Sequence, residues 1–181
     1  HESQIIGHKI AYLEGYLWDN ENAKKAMKKM VDICKEDNQK ISFTLSDLFC
    51  VDRHRNSFSE LIKDDVDILF GNKEEICSMI ESTSLNEGID YAKSLSATTI
   101  ITLAEKGSLI VNNNEVIEIP AIVVDKVIDT TGAGDLFASG FLYGLCQNKD
   151  LKTCGHMASV AASEIISHYG ARPLTKLSTL I

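Results

Sequence analysis

Between Asp129 and Asp135 the chain reads DTTGAGD, and an apolar run, LFASGFLYGLC, follows at once. Three small residues, Gly132, Ala133 and Gly134, therefore stand at the entrance to a helix predicted over about 135–146. Glycine accepts backbone geometries closed to other residues and has no side chain to shield its amide. The first turn of a helix leaves N–H groups without intrahelical acceptors, and the aligned peptide dipoles add partial positive charge there. A phosphate meets both needs. Asp135 falls in that same first turn. A carboxylate among anion-binding amides repels the ligand unless it has a task, and the task that fits is accepting the proton of a hydroxyl that attacks a γ-phosphoryl group. The helix terminus favours the ionised carboxylate, a weak base. Phosphoryl transfer tolerates this because positioning and charge stabilisation carry most of the catalysis. The same residue types also describe an aspartate that caps a helix and two glycines that make a turn, and residue types alone leave both readings standing.

Other candidates follow predicted strand ends, where open parallel α/β sheets bind ligands. Asn72 and Glu75 have the spacing of a capping box, and equally of a pair that orients Mg²⁺ through water beside phosphates. The segment from Thr102 to Gly107, TLAEKG, could hold a nucleotide's ribose or phosphates, or simply turn a strand into a hairpin. Asp47 is a strand-end acid of the same kind. Arg53, His54 and Arg55 read as a surface loop in preference to a phosphate contact. Of the remaining histidines, His8, His156 and His168 have no cysteine company of zinc-site spacing. No GxxxxGK[ST], HRD with DFG, GxGxxG or G-x-S-x-G occurs.

The elements that must position these residues alternate. Strands are predicted at 41–45, 66–70 and 98–103, with helices at 20–35, 73–82 and 86–96. Asn20 or Asp19 caps the first helix, whose Ala23, Met27, Met30, Val31 and Cys34 share one face. A hairpin follows, with strands at 108–111 and 115–119 around Asn112-Asn113-Asn114, stopped by Pro120. A further β-rich run spans 122–128. A second long helix is expected over 151–169 with Gly170 as its C-cap. Phe137, Phe141 and Leu145 anchor the helix after DTTGAGD, while Gly140 and Gly144 admit a close neighbour. The fold class is α/β with a mostly parallel sheet and helices on both faces, and residues 1–181 read as a single domain.

Composition agrees with an ordinary globular core: 181 residues, 44% apolar and 24% charged. No run approaches the roughly 20 apolar residues of a membrane span, and HESQIIGHKI lacks the pattern of a secretory signal. The net charge of −8 speaks against nucleic acid as a partner. The cluster Lys24, Lys25, Lys28 and Lys29 reads as a solvated helix face. Five scattered cysteines read as buried apolar residues in a reducing, cytoplasmic setting.

With DTTGAGD in view, the chain resembles the ribokinase-like (PfkB-type) carbohydrate kinases, a family that includes adenosine kinase. The family signature, D-T-x-G-A-G-D before an apolar helix, is met at every fixed position. GNKEE at 71–75 looks like its N-x-x-E element, and TLAEKGSLI at 102–110 resembles its T-x-G-x-x-G element, with Ala104 in place of the first glycine. YLEGYLW at 12–18 and SFTLSDLFCVDRHR at 42–55 look like the adenosine-kinase-like branch, and GARP at 170–173 resembles the closing motif.

The resemblance implies ATP-dependent transfer to a hydroxyl of a sugar or nucleoside. Asp135 would be the base and Gly132, Ala133 and Gly134 the anion hole. Thr102, Gly107, Asn72 and Glu75 would serve the nucleotide, with Glu75 reaching Mg²⁺ through water. Asp129 and Thr131 would hold a monovalent cation, K⁺ being the candidate. A vitamin or pyrimidine precursor as acceptor, and an inactive nucleotide-binding or regulatory module, are the alternatives. Family members are longer, and the chain reads as the C-terminal part of one, truncated, without the N-terminal part and β lid. On that reading, phosphate transfer by the isolated chain is expected to be poor, and an uncovered sheet edge invites pairing into a homodimer.

Overall fold

The computed structural model describes residues 2–180. Six strands form one sheet in chain order: β1 (Ile10–Glu14), β2 (Lys40–Thr44), β3 (Ile68–Asn72), β4 (Thr98–Thr102), β5 (Ser108–Asn112) and β6 (Glu115–Ile119). β1 to β4 are parallel, in a register that sets Leu13 beside Phe43, Phe43 beside Leu69 and Asn72 beside Thr102. Among the described residues the six α-helices are α1 (Glu21–Glu36), α2 (Leu48–Asp64), α3 (Lys73–Ser78), α4 (Leu85–Ser94), α5 (Ala133–Cys146) and α6 (Leu151–Ile165). The fold is thus α/β and ribokinase-like, a mostly parallel central sheet flanked by helices. Among the described residues no helix is long and apolar enough to cross a membrane.

The chain divides into two compact units, one running to Thr102 with Val111–Val116, the other made of Leu103–Ile110 and the residues from Ile117 onward. In the first, helices start where polar side chains take their orphan amides. The Asn20 side chain accepts from Asn22 and Ala23, Asp47 from Cys50, and Ser84 from Glu87. The core centres on an aromatic cluster. Phe43 and Phe58 meet edge-on with centroids 4.9 Å apart, and Trp18 stands 5.7 Å from Phe58. All three rings are buried, and such offset contacts add to the burial of their large apolar area. Met27, Val31 and Cys34 of α1 are buried on the face anticipated from spacing.

In the second unit α5 and α6 lie backbone to backbone. A Cβ on Gly140 would fall 2.7 Å from the Met157 carbonyl oxygen, and one on Gly144 2.9 Å from Cys154 Sγ. The two glycines are what permits the approach. Phe137 and Phe141 fill the interior beside them.

Four local expectations are revised. The β-rich run 122–128 is not a strand: its valines find no ladder, Val123 is 93% exposed, and the backbone is bonded only where Ile128 N–H donates to Ile166. α6 ends at Ile165, not Tyr169, and is closed by Ile166; Gly170 instead takes a positive φ of 97° in the following tail. Arg53, His54 and Arg55 belong to α2 rather than to a loop. The sequence pattern does not announce this helix because its buried Val51 and Phe58 are separated by the polar run DRHRNS. β1 was also unanticipated, being four half-buried residues and one buried leucine, Leu13, between two glycines.

Candidate active site

α5 begins in an unusual way. Its N-cap, Gly132, has φ 79° and ψ 4°, and no side chain caps the helix. That left-handed turn swings the chain from Thr131 into the helix axis, which a residue with a Cβ does only under strain. Ala133 N–H is used by Thr130, and Leu136 N–H by Gly132. Among the described residues no acceptor takes the N–H of Gly134 or Asp135. A Cβ built on Gly134 meets nothing within 4 Å. Gly134 is helical and exposed, where alanine would be more stable by about 1 kcal/mol. Packing therefore gives no reason for a glycine there. The bare amides at this terminus are of the kind that binds anions. Asp135 is exposed one residue further on.

The segment leading into the turn is fixed by Asp129. Its Oδ1 accepts from the backbone N–H of Thr131 at 2.9 Å and from the Thr131 hydroxyl at 2.7 Å, and Oδ2 accepts from Gly170 N–H at 3.1 Å. The two Thr131 donors, then the Gly170 amide, hold its carboxyl below the ordinary aspartate value. Across this loop lies the tail: a Cβ on Gly132 would sit 3.1 Å from that of Ala171. Asp129, Thr131 and Gly132 are thus gathered in one place, together with a tail segment whose contribution residue types did not reveal. The nearest signal was GARP at 170–173, noted as a motif without a contact.

A second cluster forms in the first unit, at the carboxyl ends of its parallel strands. Glu75 Oε2 accepts from Asn72 N–H at 2.9 Å and Oε1 from Asn72 Nδ2 at 2.7 Å, while Asn72 Oδ1 accepts from Glu75 N–H at 2.8 Å. This is a complete capping box on α3. Burial pushes the Glu75 carboxyl up, against the pull of the Asn72 amide, with the charges of Asp47 and Glu74 adding to the rise. Thr102 is registered beside Asn72 at the end of β4. Tyr16 joins them: burial first, then Asp47, raises its phenol above the ordinary value. Nothing in the sequence linked Tyr16 to Asp47, since β1 itself was not foreseen. No three His, Cys, Asp or Glu side chains gather to chelate a metal among the described residues. Each Glu75 oxygen retains a second lone pair, which suits a Mg²⁺ ion held by phosphates and water better than one held by the protein.

Gly107 sits in its own turn. With φ 92°, its N–H donates to Ala104, its carbonyl accepts from Leu103, and a Cβ would stand 2.0 Å from the Ile119 carbonyl oxygen. Packing alone requires glycine here. Ala104, where the family pattern has glycine, also takes a positive φ, 52°. The α2 basic residues are committed elsewhere: Arg53 grips Asp19 with Nε at 3.0 Å and Nη2 at 2.7 Å, His54 meets the same carboxylate at 2.6 Å, and Arg55 Nε donates to the Ser78 carbonyl at 2.8 Å.

Comparison with known proteins agrees with this architecture. A probable sugar kinase from Rhizobium etli superposes with a TM-score of 0.97 at 39% identity, covering 99% of this chain and 55% of its own. Adenosine kinase from Sinorhizobium meliloti gives 0.96 at 36% identity, with the same two coverages. A nucleoside kinase of Methanocaldococcus jannaschii is 40% identical over 105 residues, 58% of this chain and 34% of that protein. The chain thus spans about half the length of the solved relatives and a third of that nucleoside kinase. The profile of the pfkB family carbohydrate kinases matches residues 2–177, and the chain belongs to that family.

Proposed function

We propose that the protein carrying this chain transfers the γ-phosphoryl group of ATP to a hydroxyl of a nucleoside or sugar. The amides that open α5 receive the transferring phosphate and Asp135 takes the hydroxyl proton. The observation that carries this reading is Gly134, a helical glycine with open space where its Cβ would be and an unused amide. Charge that builds on the phosphoryl oxygens meets preorganised donors and the positive end of α5, which need no rearrangement at the moment of reaction. Asp135, on the first turn, draws the proton from the attacking oxygen. Glu75 and Asn72, locked together by their capping box, offer an oriented acceptor to water around Mg²⁺, and Thr102 and the turn at Gly107 are assigned to the nucleotide. Bound Mg²⁺ and K⁺ would supply charge neutralisation. The backbone carbonyls around Asp129 and Thr131 are the candidate K⁺ donors, because the Asp129 carboxylate is already occupied by three donors. Among acceptors a nucleoside is favoured, on the 36% identity to an adenosine kinase and the 40% identity to a nucleoside kinase.

The test is Asp135→Asn in the full-length protein. Loss of a positioned base lowers kcat by roughly 10²- to 10⁴-fold, with ATP affinity retained. Parental kcat in the variant would remove Asp135 from that role.

A further inference from the structure

We propose that Glu164, on the last turn of α6, is a positioning residue for the phosphate cradle, acting through the tail at 170–175. The inference rests on the reading of α5 as that cradle. An acid in the final turn of a helix faces the negative end of the macrodipole, the wrong place for helix stability. Glu164 is also nearly out of solvent, its side chain 7% exposed. Both costs are met by its partners: Oε1 accepts from the N–H of Leu174 at 2.8 Å and of Thr175 at 2.7 Å, and Oε2 lies 3.3 Å from His168 Nε2. One carboxylate oxygen thus gathers two successive amides and fixes the far end of the tail.

The near end of the same tail touches the cradle. Gly170 donates its N–H to Asp129 Oδ2, and Ala171 lies against Gly132. Asp129 in turn holds both donors of Thr131. A continuous path runs from Glu164 through Leu174 and Thr175, back along the tail to Gly170 and Ala171, and so to the left-handed turn that aims the amides of α5. With the tail released, Asp129 loses one of its three donors and Gly132 the backbone that confines it. The cradle keeps its residues but loses a fixed aim. Displacements near 1 Å at reacting groups cost on the order of 100-fold in rate, so a remote tether of this kind acts on kcat.

The experiment compares Glu164→Ala, Glu164→Gln and Glu164→Asp with Asp135→Asn in the full-length protein, by steady-state kinetics and by amide hydrogen exchange. Glu164→Ala is expected to lower kcat roughly 10- to 100-fold with the acceptor KM little changed. Exchange should accelerate at Leu174 and Thr175 and also at Gly170 and Thr131. Glutamine keeps an acceptor oxygen for both amides and should restore kcat to within about threefold of the parent. Aspartate, one carbon short, should fall below glutamine, and that ordering carries the test if the alanine variant does not fold. Parental kcat in Glu164→Ala or Glu164→Asp, with faster exchange confined to 174 and 175 and Asp135→Asn inactive, would make Glu164 a plain tail tether and overturn the inference alone. Full activity in Asp135→Asn would overturn the reading beneath it.

Discussion

Ala104 and Gly107 sit three residues apart in one turn, and both take positive φ, yet only one is glycine. At Gly107 the geometry leaves no choice, because a Cβ would collide with the Ile119 carbonyl. Gly107→Ala is expected to destabilise the fold by roughly 3 kcal/mol or more, combining strain with overpacking. At Ala104 the left-handed backbone costs about 1 kcal/mol, which Ala104→Gly relieves against glycine's own entropic loss. A small gain, at most about 1 kcal/mol, should follow. Urea unfolding midpoints of the two variants check both signs. The family resemblance marked Gly107 and the departure at Ala104, but not that the departure is a strained one. Gly132 and Gly134 make the complementary case. They look alike as letters; one is explained by its φ, while at the other a Cβ would meet nothing within 4 Å, so packing does not explain it.

At the scale of elements, α5 and its glycines were legible because period, small residues and a phosphate-type loop coincide in one stretch. The hairpin β5–β6 was legible for a similar reason, with turn chemistry at Asn112–Asn114 between two β-rich runs. The segment 122–128 was misread because β-branched composition reports a preference for extended backbone, not the presence of a neighbouring strand. The tail was invisible because its bonds join Glu164 to amides ten and eleven residues away, which no period encodes. Its pH dependence follows from its anchors. Burial raises the Glu164 carboxyl, but the Thr175 amide, His168 and the Leu174 amide outweigh it and hold the group below its ordinary value of 4.5. The Tyr169 carbonyl, then Glu164 and Asp129, hold the His168 imidazole above 6.5 despite partial burial. The lowered carboxyl contributes above its ordinary value and is lost as pH falls through its folded one. The raised imidazole contributes below 6.5 and is lost as pH rises through its folded value. Protection of the Leu174 and Thr175 amides, corrected for intrinsic exchange, should peak between pH 4.5 and 6.5 and decline on both sides. Protection that stays flat from well below pH 4.5 to well above pH 6.5 would contradict the assignment of the anchors.

For the molecule as a whole, alternation of strands and helices specified the fold class, and Asn72 and Thr102 fall at strand ends of the parallel sheet, whereas the segment 129–135 follows no strand. Asn72, Glu75 and Thr102 lie together in the first unit, and Asp129, Thr131 and Gly132 in the second. Acceptor identity was not legible. On the proposed reading DTTGAGD holds a phosphate and removes a proton, and neither depends on which hydroxyl attacks. The most direct test of the account is phosphoryl transfer itself, followed by ³¹P NMR with the full-length protein, Mg²⁺, K⁺ and ATP against a panel of nucleosides and sugars. The account predicts that the γ-phosphoryl resonance of ATP is replaced by a phosphomonoester on one class of acceptor, nucleosides first. ATP left intact, or hydrolysed only to inorganic phosphate with every acceptor, would contradict it.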